Sequence, residues 1–400
     1  MRTARFAILL GGLGALGPFS IDTYFPSFST MARHFDVAPA DVQLTLSLYL
    51  MTMAVMTLVH GPLSDAFGRK TVLVTALGLY TVTSLVCTVA ASFAWLLAAR
   101  AAQGLVGGAG MIVGRAIVRD LFKGPQAQRL MAQMTMVVAL APAAAPVIGG
   151  YLHAALGWRA PFAFLAVLGA TLAIATSALL PETLSRGDRQ PLRPASLGRA
   201  YVRVALDPAF LALASALALG FGGFLVYVSS AADFVPQVLG LGETQYGWLF
   251  LPIVAGLVAG AWAASRSADV VRPRSVVTLG LAIMGVGAAW NVALNLCQVP
   301  AVPWLVLPLP VYTFGLALQA PAVTLFALDL YPARRGLAAS VQGFVQTLVF
   351  ALIASVLAPR LFGSGPAYST AMLVLLLGAA AGWLVFLRSR GGETVRHGTP

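Results

Sequence analysis

Apolar positions along this chain neither alternate with polar ones nor recur on a single helical face. They come in nearly unbroken runs, separated by short charged or turn-rich breaks. About 20 apolar residues, rising 1.5 Å each, cross a hydrocarbon core about 30 Å thick, so each run predicts a membrane-spanning helix. Reading from break to break predicts twelve, near 6–28, 43–63, 72–91, 93–117, 130–152, 160–180, 209–232, 245–264, 275–297, 301–327, 337–360 and 367–387. The fold class is therefore an all-α membrane protein. The connections between helices 3 and 4 and between helices 9 and 10 are the shortest, so those divisions rest on the fewest residues.

Composition agrees with the pattern. The 400 residues are 59% hydrophobic and only 10% charged, whereas a soluble domain carries about 25% charged residues. One aqueous core could not hide that much apolar surface. The N-terminal run after Arg2 and Arg5 also fits a signal peptide, but no small-residue cleavage site follows cleanly, so an uncleaved first helix is expected.

A net charge of +12 invites a nucleic-acid reading until the charges are placed. With the N-terminus cytoplasmic, 21 of the 25 Lys and Arg fall in cytoplasmic segments. Arg33, Arg159 and Arg360 fall outside, and Arg100 lies within helix 4. This is an orientation signal: both termini are cytoplasmic and no nucleic acid is needed. The longest break, 182–208, holds eight charged residues and three prolines. It divides the chain into an N-terminal six-helix half (1–181), a cytoplasmic linker (182–208), a C-terminal six-helix half (209–389) and a cytoplasmic tail (390–400). Two six-helix halves are a transporter pattern. A faint repeat accompanies it: Asp65 with Arg69 and Lys70 follows helix 2, and Asp269 with Arg272 and Arg274 follows helix 8.

No phosphate-binding loop exists and the chain has two lysines, which argues against ATP hydrolysis. Cys87 and Cys297 lie in apolar runs and read as buried thiols. His34, His60, His153 and His397 lack metal-ligand spacing, so neither metal nor cofactor is expected. A charge inside the bilayer marks function. Asp22 lies about 25 Å along helix 1 from Arg5, and Arg100 about 10 Å in from the outer end of helix 4. Both belong to the outer half of the membrane. Gly14, Pro18, Asp22 and Pro26 recur every four residues on one face, and Pro18 is expected to bend the helix. Burial favours the neutral form of a carboxyl and a neighbouring guanidinium the charged one. Asp22 and Arg100 are thus candidates for proton coupling, with a static ion pair or an interfacial aspartate as the alternative. Asp233 reads as a solvated loop carboxylate, and Arg115 as a snorkelling side chain at the inner end of helix 4.

Several motifs make the sequence recognisable. Gly61-Pro62-Leu63-Ser64-Asp65-Ala66-Phe67-Gly68-Arg69-Lys70 resembles the helix 2–3 loop of the major facilitator superfamily. Ser20-Ile21-Asp22-Thr23-Tyr24-Phe25-Pro26 resembles the D-x-Y-x-P motif of its Bcr/CflA drug-resistance branch, a group of drug–proton antiporters. Leu97 to Gly104, with Arg100, and Arg115-Ala116-Ile117-Val118-Arg119-Asp120 are similar to the branch's helix 4. Ala141 to Gly150 resembles the helix 5 antiporter motif, carried here by Pro142, Pro146, Gly149 and Gly150, with Ala145 where the family has its first glycine. The resemblance implies a gating role for Asp65, Gly68, Arg69 and Lys70, protonation at Asp22, and a place for Tyr24 beside the substrate. It also implies a multi-pass protein of the bacterial inner membrane. Multidrug members of the branch carry a second acid two turns before the aspartate; Gly14 stands there, which favours neutral or singly charged cargo.

Polar and aromatic residues projecting from apolar helices are candidates to line a pocket: Tyr49, Gln103, Tyr227, Tyr246, Gln319, Gln342 and Gln346. Tyr246 also matches a family tyrosine. Hydrogen bonding between helices explains such residues equally well. Gly104/Gly108, Gly110/Gly114 and Gly256/Gly260 read as close helix contacts within a monomer rather than a dimer face. The function expected is proton-coupled efflux of small lipophilic compounds. A proton symporter or facilitator for a small metabolite is the alternative, and a membrane sensor has little to support it.

Overall fold

A computed structural model describes residues 2–189, 191–192, 194–267, 270–297 and 302–396. Asp269 and His397, both singled out in the sequence, lie outside the described residues, as do 397–400 of the expected tail. Among the described residues, twelve helical spans are long and apolar enough to cross a membrane. They are α1 (Phe6–Phe35), α2 (Pro39–Phe67), α3 (Arg69–Thr88), α4 (Phe93–Leu121), α5 (Arg129–Leu156) and α6 (Ala160–Leu179). The others are α7 (Pro208–Val238), α8 (Gly247–Ser267), α9 (Pro273–Leu296), α10 (Pro308–Asp329), α11 (Arg335–Leu361) and α12 (Gly365–Ser389). Each matches a run read from the sequence. The largest shifts are at the end of α1, which runs on to Phe35, and at the start of α10, which begins at Pro308 because residues 302–307 form turns.

Local chemistry sets the ends. Proline, which needs no backbone partner in a first helical turn, opens α2, α7, α9 and α10. Asp207 caps α7 by accepting from Ala209 N (2.9 Å) and Phe210 N (3.2 Å), and Ser92 caps α4. Gly68, at φ 101°, ends α2 and starts α3 within a single residue.

Several spans are interrupted. In α1 the helix Arg2–Asp22 runs through Pro18 and stops at Asp22. A 3-10 turn at Phe25–Ser27 and a helix at Phe28–Phe35 follow. The break therefore comes at Thr23–Tyr24, ahead of Pro26, rather than at Pro18: proline restricts the residue before it and has no N–H to continue the ladder. Gly108 divides α4, and single π turns lie in α7 (Phe234–Val238) and α11 (Ile353–Leu357).

The chain forms two compact units, Met1–Arg193 with Leu241–Phe250, and Pro194–Gly240 with Leu251–Pro400. In the first, α1 packs on α5, α2 on α4, and α3 on α6. In the second, α7 packs on α11 and α9 on α12, and α8 meets α10 where Gly256 and Gly260 lie against the backbone of Pro310 and Phe314. Gly104 likewise lies against Tyr49 O, and Gly110 against Leu13 O. These glycines serve packing inside one chain, because a Cβ at any of them would strike a neighbouring backbone. The most buried spans are α1 and α7, at 72% of their apolar windows.

Three details add to or differ from the sequence reading. Cys87 is buried but Cys297, at the C-terminal end of α9, is exposed. The 182–208 segment is not extended throughout: it holds a 3-10 turn at Arg186–Asp188 and a helix at Pro194–Ala205. The last helix continues to Arg396, into the stretch read as a tail.

Candidate functional site

Arg100 organises the interior of the first unit. It is fully buried, and its guanidinium donates to Gln103 Oε1 (2.5 Å), Ser20 O (3.1 Å), the Tyr24 hydroxyl (3.2 Å) and, more weakly, Thr45 O (3.4 Å). It also lies over the rings of Tyr24 and Tyr49, 4.5 and 4.4 Å from their centroids, where the negative ring faces attract a cation. Gln103 passes the network on by donating to Ser84 Oγ (2.7 Å), and Ser20 is hydrogen-bonded to the Tyr80 hydroxyl. A cation surrounded by neutral oxygens and aromatic faces is thus accommodated without a carboxylate.

Asp22 sits between Ser20 and Tyr24, both bonded to Arg100, yet no ion pair joins it to Arg100 or to any other described residue. It is the last residue of the helix before the break in α1, is buried (2% exposed), and its Oδ1 has no hydrogen-bond partner. The static Asp22–Arg100 ion pair weighed as an alternative is absent. A buried carboxyl without a partner is held at a free-energy penalty, and such groups within membrane spans mark function. The α5 motif supports this spot from outside: Gly149 lies against the backbone of Thr23 at the break, where no Cβ would fit, and Gly150 lies against Glu243 O. Pro146 is buried and Pro142 half-buried in the same helix.

A second cluster lies at the helix ends around Arg69. The guanidinium pairs with Asp65 (2.5 Å) and Asp120 (3.1 Å) and donates to Ser64 Oγ (2.6 Å). The Arg69 N–H, at the start of α3, donates to Glu182 Oε1 (2.9 Å), so a carboxylate caps the positive end of that helix. Gly68 is confined twice over, since a Cβ there would meet the Glu182 carboxylate and its φ disfavours any side chain. Lys70 Nζ reaches Ser177 O (2.7 Å). Asp120 and Glu182 complete the cluster and were not singled out from the sequence. Asp120 ends a motif that the sequence does display, whereas Glu182 lies 113 positions from Arg69 and carries no local signal.

The residues read as pocket candidates divide. Tyr24, Tyr49 and Gln103 all hold Arg100. In the second unit, the Tyr227 hydroxyl accepts from Asn291 Nδ2 (2.6 Å), Gln319 donates to Met284 Sδ (3.1 Å), and Gln342 donates to Thr324 (3.3 Å) while its Oε1 has no partner. Gln346, one turn from Gln342, is half-buried, and Tyr246 is buried. Tyr227 and Gln319 thus make the interhelical bonds that explained them equally well. Asp233 is not simply solvated: its Oδ2 accepts from Gly363 N (2.7 Å) and the Tyr368 hydroxyl (2.8 Å). Among the described residues, no group of His, Cys, Asp and Glu gathers to hold a metal.

Twelve apolar spans with a buried cation and a buried carboxyl in their interior define a multi-pass membrane protein. The sequence matches the model of the Major Facilitator Superfamily over residues 10–354. It is 30% identical over 362 residues to the bicyclomycin resistance protein homologue of Haemophilus influenzae, covering 89% of each chain. It is 28% identical over 364 residues to multidrug resistance protein D of Escherichia coli K12, covering 88% of each. A solved bacterial homologue of the human lysosomal transporter Spinster, in an inward-facing and unoccupied conformation, shares the fold with a TM-score of 0.72 at 17% identity over 97% of both chains. The chain belongs to the major facilitator superfamily, in its Bcr/CflA drug-resistance branch, and is a membrane transporter, not an enzyme.

Proposed function

We propose that this transporter exports small lipophilic, drug-like compounds across the bacterial inner membrane in exchange for protons, by alternating access. Two six-helix halves, 1–181 and 209–389, do the work, with both termini in the cytoplasm. The observation that carries this reading is Asp22, a buried carboxyl at the break in α1 with no cation beside it. The printed names of relatives, bicyclomycin resistance and multidrug resistance, support drugs as cargo.

In this account Asp22 holds and releases the transported proton. Arg100 fixes the local potential and the shape of the site through Ser20 and Tyr24, on either side of Asp22. A group with no protein counterion is free to exchange its proton for cargo, whereas a carboxylate locked to an arginine is not. Asp65, Gly68, Arg69 and Lys70, joined by Asp120 and Glu182, form the cytoplasmic gate, because their bonds tie the ends of α2, α3, α4 and α6 and must part if those ends move. The α5 residues Pro142, Pro146, Gly149 and Gly150 let that helix lie against the break in α1. Tyr24, Tyr49, Gln103, Tyr246, Gln342 and Gln346 remain the candidates to contact cargo, whereas Tyr227 and Gln319 are read as interhelical bonding residues.

The test is accumulation of bicyclomycin, chloramphenicol and ethidium in cells expressing the chain, with and without an uncoupler. Lower accumulation that the uncoupler abolishes is expected for at least one of them. Raised accumulation that the uncoupler abolishes would instead mean import by symport.

A further inference from the structure

The segment Leu241–Phe250 joins α7 to α8, yet it packs as part of the first unit. Three contacts fasten it there. A Cβ on Gly150 of α5 would strike Glu243 O, so the two backbones touch. The buried ring of Phe250 stacks on the buried ring of Phe25, just past the break in α1, with centroids 6.5 Å apart. The third contact is polar: Glu243 Oε2 lies 3.2 Å from Nε2 of His153, in the last turn of α5. His153 is buried, whereas the Glu243 side chain is 44% exposed. The same Nε2 lies 3.3 Å from Thr30 Oγ1 of α1, and Nδ1 has no partner. No bond to Nδ1 therefore fixes which tautomer the ring adopts.

We propose that His153 and Glu243 form a proton-operated clasp that holds this segment over the break in α1. When both ring nitrogens carry protons, Nε2 donates a charge-assisted bond to the Glu243 carboxylate. A neutral ring protonated on Nε2 donates only an ordinary bond. One protonated on Nδ1 accepts from the Thr30 hydroxyl and turns a lone pair toward the carboxylate. Acid therefore tightens the clasp and base loosens it. The coupling is reciprocal: a charged ring in so buried a place needs Glu243 beside it, so the proton leaves when the segment does. The other charges around His153 stand further off. Arg33 reaches Thr30 Oγ1 (3.0 Å) and is one bond removed. His34, on the next turn of α1 after Thr30, is bonded to Arg159 beside the start of α6 (3.3 Å) and packs on Trp158. Asp22 lies two turns before Thr30, and the stretch Phe25–Ser27 between them brings no titratable group to α5. Tyr151, on α5 itself, is exposed, and α4 meets α5 toward its other end, where Gly114 faces Met134. This end of α5 is opposite the Arg69 cluster, because α6 starts beside it and ends near Ser177, which Lys70 reaches. On the efflux reading it is the outer face, but the clasp goes beyond that reading and does not need it.

The experiment is hydrogen–deuterium exchange of the purified full-length protein in phosphatidylcholine nanodiscs at about pH 5.5 and about pH 8, on either side of the range in which imidazoles titrate, with rates corrected for the intrinsic effect of pH. The amides of 242–250 report release. Gly242 N, Gln245 N, Trp248 N and Leu249 N bond within the segment, and bonds in so short a stretch do not outlast its docking. They are expected to be about tenfold more protected at the lower pH, the difference that one charge-assisted bond supplies. His153→Gln and Glu243→Gln each remove one charge, and each should make the protection independent of pH. His34→Gln, which alters the other histidine at this end, should leave the tenfold difference in place. Equal protection of the parent at the two pH values, a difference that survives either glutamine at 153 or 243, or one that vanishes in His34→Gln overturns the proposal. Transport plays no part in the readout, so failure of the efflux reading leaves the clasp standing, and failure of the clasp leaves the efflux reading standing.

Discussion

Replacing Arg100 by lysine keeps the charge and removes the fork. The guanidinium makes three bonds of 3.2 Å or less, to Gln103, Ser20 O and Tyr24, and faces two rings. A lysine ammonium, on a shorter stem, meets one of those acceptors. Two bonds to a charged donor are lost, at about 1.5–3 kcal/mol each before relaxation, and the two ring contacts weaken by about 0.5–1 kcal/mol each. Because such terms overlap, a net loss of about 3 kcal/mol is expected. For a unit of this size that lowers Tm by about 6–12 °C. Cys87 provides the readout: it is buried, three positions from Ser84, which accepts from Gln103. In a Cys297→Ser background, which removes the exposed thiol, a thiol-reactive coumarin reports the temperature at which Cys87 opens. An Arg100→Lys protein that melts within about 2 °C of its parent would refute the view that the network, rather than the charge, is what Arg100 provides.

Other substitutions follow from the same geometry. Gly68→Ala should destabilise by about 1–2 kcal/mol from its left-handed backbone alone, with more added by contact with Glu182, read as a lower melting temperature. Gly149→Ala forces a methyl onto Thr23 O; overpacking of about 1–3 kcal/mol at the break in α1 should reduce drug efflux in a protein that still reaches the membrane, and wild-type efflux would contradict the close contact. Tyr227→Phe removes the acceptor for Asn291 and should lower stability by about 1 kcal/mol while leaving the KM for exported drug unchanged. A raised KM with unchanged stability would make Tyr227 a cargo contact instead.

What the sequence made legible follows from how each signal is encoded. Spans were readable because about 20 contiguous apolar residues have no soluble alternative, and α2 to α9 each begin within a few residues of the break that predicts them. Asp22 and Arg100 stood out because each is a charge in an apolar run. Their relation did not: the sequence placed a carboxylate and a guanidinium at similar depth and left a pair open, whereas Arg100 is satisfied by Ser20, Tyr24 and Gln103. Neutral partners leave no charge pattern to read. Glu182 and Asp233 were hidden for a related reason, since their partners lie 113 and 135 positions away and only the tertiary fold brings them together. Pro18 was expected to bend α1; the interruption itself, which the sequence reading did not place, falls further on at Thr23–Tyr24. Proline within a helix is tolerated where neighbouring helices cover it, and the 3-10 turn that begins at Phe25 ends the helix instead.

The most direct test of the account is drug uptake into reconstituted vesicles with an acidic lumen, using whichever panel drug responds most to the uncoupler in cells. The parent protein is expected to accumulate that drug until the gradient is collapsed. Asp22→Asn is expected to accumulate none, yet still to exchange labelled for unlabelled drug, since carboxyl and carboxamide share one shape. Gradient-driven accumulation by Asp22→Asn, or accumulation by the parent that ignores the imposed gradient, would contradict it.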